Sequence, residues 1–148
     1  MLLTLDIGNT RAKLVSFVDG HPRLEAACAV SELPAAFAGI AAHRPEVTSL
    51  RWCSVGADDA LVETLLARTG WPTRRLVAAA EVGGVRLAYR TPHTLGVDRL
   101  AAVLGARSLQ PQGHLLVVDA GTCITFDVLL ADGRYIGGNI SPGLSMRL

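Results

Sequence analysis

Charge is scarce in this chain, and so is everything that a nucleic-acid or membrane surface requires. Only 18% of the 148 residues are charged, with 14 Lys plus Arg against 13 Asp plus Glu and a formal charge of +1. There is no basic run, and aromatic residues make up 5%, which excludes a nucleic-acid surface. No apolar run reaches the roughly 20 residues that span a bilayer, and the chain opens directly on an apolar strand without a positive leader. Cys28, Cys53 and Cys123 are odd in number, widely separated and without metal-ligand spacing. They predict reduced thiols, and with them a cytoplasmic protein rather than a disulfide framework. Apolar residues, by contrast, are abundant: they make up 50% of the chain, and mean hydropathy is +0.36. That excludes a disordered chain and supplies the core of one domain, or of one domain and a piece of another.

The most informative feature is a repeat. Leu2–Gly20 (LLTLDIGNTRAKLVSFVDG) and Leu115–Gly133 (LLVVDAGTCITFDVLLADG) match at Leu2/Leu115, Leu3/Leu116, Asp6/Asp119, Gly8/Gly121, Val15/Val128, Asp19/Asp132 and Gly20/Gly133. Each copy reads as an apolar strand ending in Asp-x-Gly, a second strand, and an Asp-Gly turn. The glycine lets the backbone bend and lets a ligand approach. The N–H groups that follow, with Thr or Asn side chains, form a cradle for phosphate oxygens. Phosphate repels the carboxylate of the Asp, so its natural partner is a cation or a water. Two such hairpins facing each other would grip the phosphates of one nucleotide from opposite sides. A single Asp-x-Gly is a common turn sequence; two copies at one offset are far more specific.

Taken in order, the chain predicts strands over Leu2–Asp6, Arg11–Val18 and Arg23–Val30, then a helix capped by Ser31 and running to about His43. A strand over Thr48–Ser54 follows. The next helix is capped by Asp58 or Asp59, with Leu61, Val62, Leu65 and Leu66 on one face. Thr73–Val77 reads as a strand and the residues through Gly83-Gly84 as a small-residue connection. Thr91–Arg99 is a loop entering a helix that ends near Ser108, and the hairpin restarts at Leu115. The fold predicted is a mixed α/β sheet flanked by helices. Residues 1–112 form a whole first domain, and residues 113–148 the opening strands of a second, incomplete copy.

Duplicated hairpins of this kind resemble the phosphate loops of the actin, hexokinase and Hsp70 superfamily, which implies a ribonuclease H-like, actin-like ATPase fold. Three stretches resemble the type III pantothenate kinases more narrowly: Asp6-Ile7-Gly8-Asn9-Thr10; Thr91-Pro92 with Gly96-Val97-Asp98-Arg99; and Asp119-Ala120-Gly121-Thr122 followed by Gly137-Gly138-Asn139-Ile140-Ser141-Pro142-Gly143. The resemblance spans Leu2 to Gly143. It implies ATP-dependent phosphorylation of pantothenate to 4′-phosphopantothenate, the first step towards coenzyme A. It also implies Mg²⁺, a monovalent cation (potassium or ammonium) and a homodimer. Members of that family are longer, with a complete second domain. Two rival readings remain: another phosphotransferase or phosphatase of the superfamily, and a non-catalytic module that binds nucleotide or dimerises.

On this reading Asp98 is the catalytic candidate. It lies where a loop meets a helix N-terminus, whose partial positive charge keeps a carboxylate ionised. There it takes or orients the hydroxyl proton of an acceptor alcohol; the alternative is a plain helix cap. Arg99 either binds a substrate carboxylate or phosphate, or pairs with Asp98. Gly96, Val97 and Tyr89 are the other candidates for the substrate pocket, with a core position the alternative for Tyr89. Gly8, Asn9, Thr10, Gly121 and Thr122 are the phosphate-binding candidates. Lys13 either reaches phosphate or points to water. Asp6 is expected to hold Mg²⁺ through water, and Asp119 the monovalent ion. Cys123 is read as a small filler, and His93, alone among the histidines near a motif, as a solvated loop residue. Gly137 to Gly143 reads either as a segment open to a ligand or as a strand-to-helix turn.

Overall fold

A computed structural model describes residues 1–55, 59–89, 91 and 94–146. Close contacts divide the chain into two compact units, Met1–Leu76 and Val77–Leu148. The repeat, in contrast, restarts near residue 113.

The first unit holds β1 (Leu2–Ile7), β2 (Ala12–Val18), β3 (His21–Cys28), α1 (Leu33–His43), β4 (Ser49–Ser54), α2 (Asp59–Ala67) and β5 (Thr73–Arg75). Its sheet has the order β3-β2-β1-β4-β5. The first three strands are antiparallel neighbours, and β4 joins β1 in parallel, as β5 joins β4. This is the mixed, ribonuclease H-like sheet that the sequence predicts. Alternation along β1 explains its place at the centre: Leu3, Leu5 and Ile7 are buried while Leu2, Thr4 and Asp6 are half-buried. The buried set packs with Leu14 and Leu50, with Leu33, Phe37 and Ile40 of α1, and with Val62 and Leu66 of α2. Asp19 and Gly20 both take positive φ, 50° and 79°, as a two-residue hairpin turn demands.

Several local expectations need correction. Ser31 does not cap α1; a 3-10 turn over Val30–Glu32 precedes the helix, and the Glu32 carboxylate accepts the Ala29 N–H at 2.8 Å. Leu61 is 51% exposed rather than on the core face of α2, which is carried by Val62 and Leu66 one turn apart. Asp58, the alternative cap of α2, lies outside the described residues. On β3 an extra residue, Glu25, bulges between Leu24 and Ala26, and its carboxylate accepts the Ser16 hydroxyl at 2.6 Å.

The second unit holds β6 (Glu81–Val82), β7 (Val85–Leu87), α3 (Val97–Leu109), β8 (Leu115–Ala120), β9 (Cys123–Leu129) and β10 (Arg134–Pro142), in the sheet order β6-β7-β10-β9-β8. The β6–β7 hairpin turns on Gly83-Gly84, both at positive φ, where the sequence suggested only a connection. Helix α3 packs on β8 and β9.

The repeat is real in topology but slipped by one residue in register. The first loop spans residues 8–11, between paired Ile7 and Ala12; the second spans 121–123, between paired Ala120 and Ile124. The closing turn compensates: residues 19–20 in the first copy, 131–133 in the second, where the Leu130 N–H bonds to the Arg134 carbonyl. A one-residue slip exchanges the faces of a strand. Phe126, not Asp127, is therefore the counterpart of core Leu14, and Val128 lies opposite Leu116 although its sequence match, Val15, lies opposite Thr4. Leu3, Leu5 and Leu14 are at most 1% exposed, whereas Leu116, Val118 and Phe126 are 65%, 51% and 37% exposed. The apolar face that is core in the first sheet is open in the second.

Candidate active site

In the first unit, Asp6 is the penultimate residue of β1, with Lys13 of β2 opposite it on one side and Cys53 of β4 on the other. The Cys53 thiol lies 3.5 Å from Asp6 Oδ1. The loop beyond is closed by the Gly8 N–H donating to the Arg11 carbonyl at 3.0 Å, and Asn9 and Thr10 are exposed on it. Lys13 is exposed and shares a sheet face with Asp6, as the cross-strand register requires. Arg11 lies outside the strand and donates to the Ala27 carbonyl at 2.6 Å.

In the second unit, Asp119 sits near the end of β8, and Gly121, Thr122 and Cys123 are all exposed beyond it. An exposed Cys123 is not a filler. The Gly121 N–H bonds to the Cys123 carbonyl at 2.9 Å, and the Gly143 N–H to the Thr122 carbonyl at 3.0 Å. A Cβ on Gly143 would lie 2.3 Å from the Thr122 oxygen, and one on Gly138 1.6 Å from the Phe126 oxygen. These glycines are required by close backbone approach within the sheet. The segment is strand through Pro142 and passes at Gly143 into a 3-10 turn over Leu144–Met146, so Gly137 to Pro142 is strand rather than the turn itself.

The first turn of α3 assembles the most chemistry. Gly96 precedes the helix at φ −59°, ψ 124°. Half-buried Asp98 accepts the Arg99 main-chain N–H on Oδ1 at 2.8 Å. Its carboxylate lies over Gly96, where a Cβ would approach Oδ1 to 2.4 Å. The Arg99 guanidinium turns away from Asp98 to Asp127 of β9, so the expected pairing with Asp98 is corrected. Nε donates to both Asp127 oxygens at 3.1 Å, and Nη2 to Oδ1 at 2.5 Å. The Tyr135 hydroxyl also donates to that Oδ1 at 2.5 Å. Arg99 is 7% exposed and Asp127 1%. Bonding to Asp127 holds the guanidinium even more firmly protonated than usual, and burial, then the bond to Asp127, push the Tyr135 phenol up.

Tyr89 lies close enough to bear electrostatically on both Arg99 and Tyr135. Its ring lies where a Cβ on Gly137 would be, and it lines a cavity of about 360 Å³ with Ala88, Thr91, Ile136 and Gly138. Pro92 and His93 lie outside the described residues. Asp127 and Tyr135 escaped the sequence reading, although a lone acid inside the apolar strand CITFDVL signals a buried charge in need of a cation.

No group of three or more His, Cys, Asp or Glu able to hold a metal occurs among the described residues. Asp6 and Asp119 instead offer one carboxylate each beside a loop, a donor set of the kind Mg²⁺ takes, since it keeps several waters and binds one or two carboxylates together with phosphate oxygens. No helix among the described residues is long and apolar enough to cross a membrane.

The family model for type III pantothenate kinase matches residues 2–148. Type III pantothenate kinases from Laribacter hongkongensis and Azoarcus sp. are 36% and 42% identical, each over 99% of this chain and over 60% and 56% of their own length. One from Porphyromonas gingivalis is 38% identical over 98% of this chain and 58% of its own. The chain thus spans less than two thirds of the length of these relatives. Among solved structures, a Ppx/GppA family member from Aquifex aeolicus aligns over 97% of the chain at 14% identity and a TM-score of 0.48. By the family model that matches it and by its relatives, the chain belongs to the type III pantothenate kinase family.

Proposed function

We propose that this chain provides the acceptor-activating turn and both phosphate loops of an enzyme that transfers the γ-phosphoryl group of ATP to pantothenate, giving 4′-phosphopantothenate at the start of coenzyme A synthesis. The observation that carries this reading is the Asp98 carboxylate, held over Gly96 at the N-terminus of α3. From there it receives the hydroxyl proton of the acceptor as the oxygen attacks phosphorus in line. Tyr89 and the Gly96–Arg99 turn surround the acceptor. Main-chain N–H groups at Asn9, Thr10 and Thr122, with the two threonine hydroxyls, bind phosphate oxygens, Gly8 and Gly121 let the phosphates come close, and Lys13 adds a cation on the Asp6 face.

Asp6 holds Mg²⁺ through water, and Asp119 holds potassium or ammonium. When bound, these ions neutralise charge on the phosphates. Most of the catalysis is positioning and charge stabilisation, to which an ordered Asp98 contributes directly. The repeat supports a first domain over residues 1–112 and the opening strands of a second over 113–148. The working protein is a cytoplasmic homodimer in this reading.

The test is Asp98→Ala in the chain extended to the length of its relatives. Turnover should fall by about 10²–10⁴-fold while ATP binding, followed by calorimetry, persists. Near-normal turnover removes Asp98 from the mechanism.

A further inference from the structure

The strongest unassigned feature is the buried cluster of Arg99, Asp127 and Tyr135. Asp127 is the sole acid on the α3-facing side of β9, is 1% exposed, and accepts three N–H or O–H donors from Arg99 and Tyr135. It plays no part in either phosphate loop. A buried ion pair with this much bonding is rigid, and removing one partner leaves the other charge uncompensated. What it fixes is specific. Arg99 is tied at both ends: its guanidinium to β9 and, through Tyr135, to β10; its main-chain N–H to Asp98 Oδ1 at 2.8 Å. The Arg99 side chain and the hydrogen bonds at its two ends therefore link the sheet to the carboxylate that faces the acceptor, the same main-chain N–H also reaching the Gly96 carbonyl at 3.1 Å.

We propose that Asp127, steadied by Tyr135, is a positioning residue of the phosphoryl transfer: it clamps Arg99, and through the Arg99 main chain sets the carboxylate of Asp98. This rests on the reading of Asp98 as the group that receives the acceptor proton, and it gives the Arg99 side chain a different task from binding the substrate carboxylate. An arginine whose bidentate edge is filled by a buried aspartate, and which is 7% exposed, is neutralised before any substrate anion arrives.

The experiment uses Asp127→Asn in two readouts. The first is NMR of the Asp98 side-chain carboxyl carbon and of the Arg99 amide in the 148-residue chain. The second is steady-state kinetics in the chain extended to the length of its relatives. The clamp predicts a shifted Asp98 carboxyl signal, faster exchange of the Arg99 amide, and a kcat lower by about tenfold or more with the KM for ATP unchanged. A folded variant whose Asp98 carboxyl and Arg99 amide signals match the unaltered chain overturns the proposal. A rise in the KM for pantothenate alone, with kcat intact, also overturns it, because Arg99 then binds substrate rather than setting Asp98. Moved Asp98 signals with undiminished turnover retain the clamp but remove Asp98 from the chemistry. If Asp127→Asn does not fold, Tyr135→Phe keeps the ion pair and deletes one donor, and the same shifts are expected in smaller size.

Discussion

Gly96→Ala separates the position of Asp98 from the stability of the fold. At φ −59°, ψ 124° the backbone of residue 96 suits alanine, so no strain enters through the main chain. The added Cβ instead lies 2.4 Å from Asp98 Oδ1, 3.5 Å from its Cγ and 3.8 Å from Arg99 Cδ. Reaching ordinary contact requires the carboxylate to move by about 1 Å, the easiest group there to displace. That breaks its bond to the Arg99 N–H, which costs roughly 1 kcal/mol, and the lower chain entropy of alanine returns about 0.4–1 kcal/mol. Stability should change by less than about 1 kcal/mol, a few degrees in Tm. Turnover should fall by about 10²-fold, because an ångström of misplacement at a reacting group costs that much. The assays are a thermal melt by circular dichroism and ADP release in the extended chain. Gly105→Ala in the same helix is the control: its Cβ meets nothing within 4 Å, so turnover should hold and stability rise by up to about 1 kcal/mol. Wild-type turnover in Gly96→Ala would refute the claim that the position of the Asp98 carboxylate governs the reaction.

Other predictions concern the scaffold. The Glu25 carboxyl is held below its ordinary value of 4.5, first by the Ser16 hydroxyl and also by Arg44. A depressed folded-state value stabilises above the unfolded one and is lost as pH falls through the folded one. Glu25→Gln should therefore cost about 1 kcal/mol in urea melts at pH 7 and progressively less below pH 4.5; an equal cost at both ends would contradict the assignment. Gly138→Ala, which forces a Cβ to 1.6 Å from a main-chain oxygen, should destabilise the second sheet by about 3 kcal/mol or more, read as loss of its cooperative melt. The open face bearing Leu116, Val118 and Phe126 should drive self-association of the 148-residue chain. Light scattering should show species larger than a monomer, reduced by Leu116→Lys with Val118→Lys; a monodisperse monomer of the unaltered chain would defeat this.

The parts of the fold that could be read in the sequence are those whose signals are local. The antiparallel strands β1 and β2, the Asp19-Gly20 turn and the Gly96–Arg99 helix entry all depend on near neighbours, and each appears where it was expected. The misses depend on partners far along the chain. Strand β7 has three residues and gains its place by pairing with Arg134 and Tyr135 of β10, which no local pattern announces. The constant offset of the repeat hid the slip in β9, because a shorter loop and a longer turn cancel in sequence while exchanging strand faces. The same slip places Asp127 on the α3 side, within reach of Arg99 across a separation of 28 residues. The place of Asp98 in the first turn of a helix could be read because the helix start and its glycine coincide in one short stretch.

The most direct test of the central claim is ADP release from ATP and Mg²⁺ in the chain extended to the length of its relatives, measured with and without pantothenate in potassium buffer. Turnover should require pantothenate and disappear on Asp98→Ala. ADP release indifferent to pantothenate, or to the loss of the Asp98 carboxylate in a folded protein, would contradict that claim.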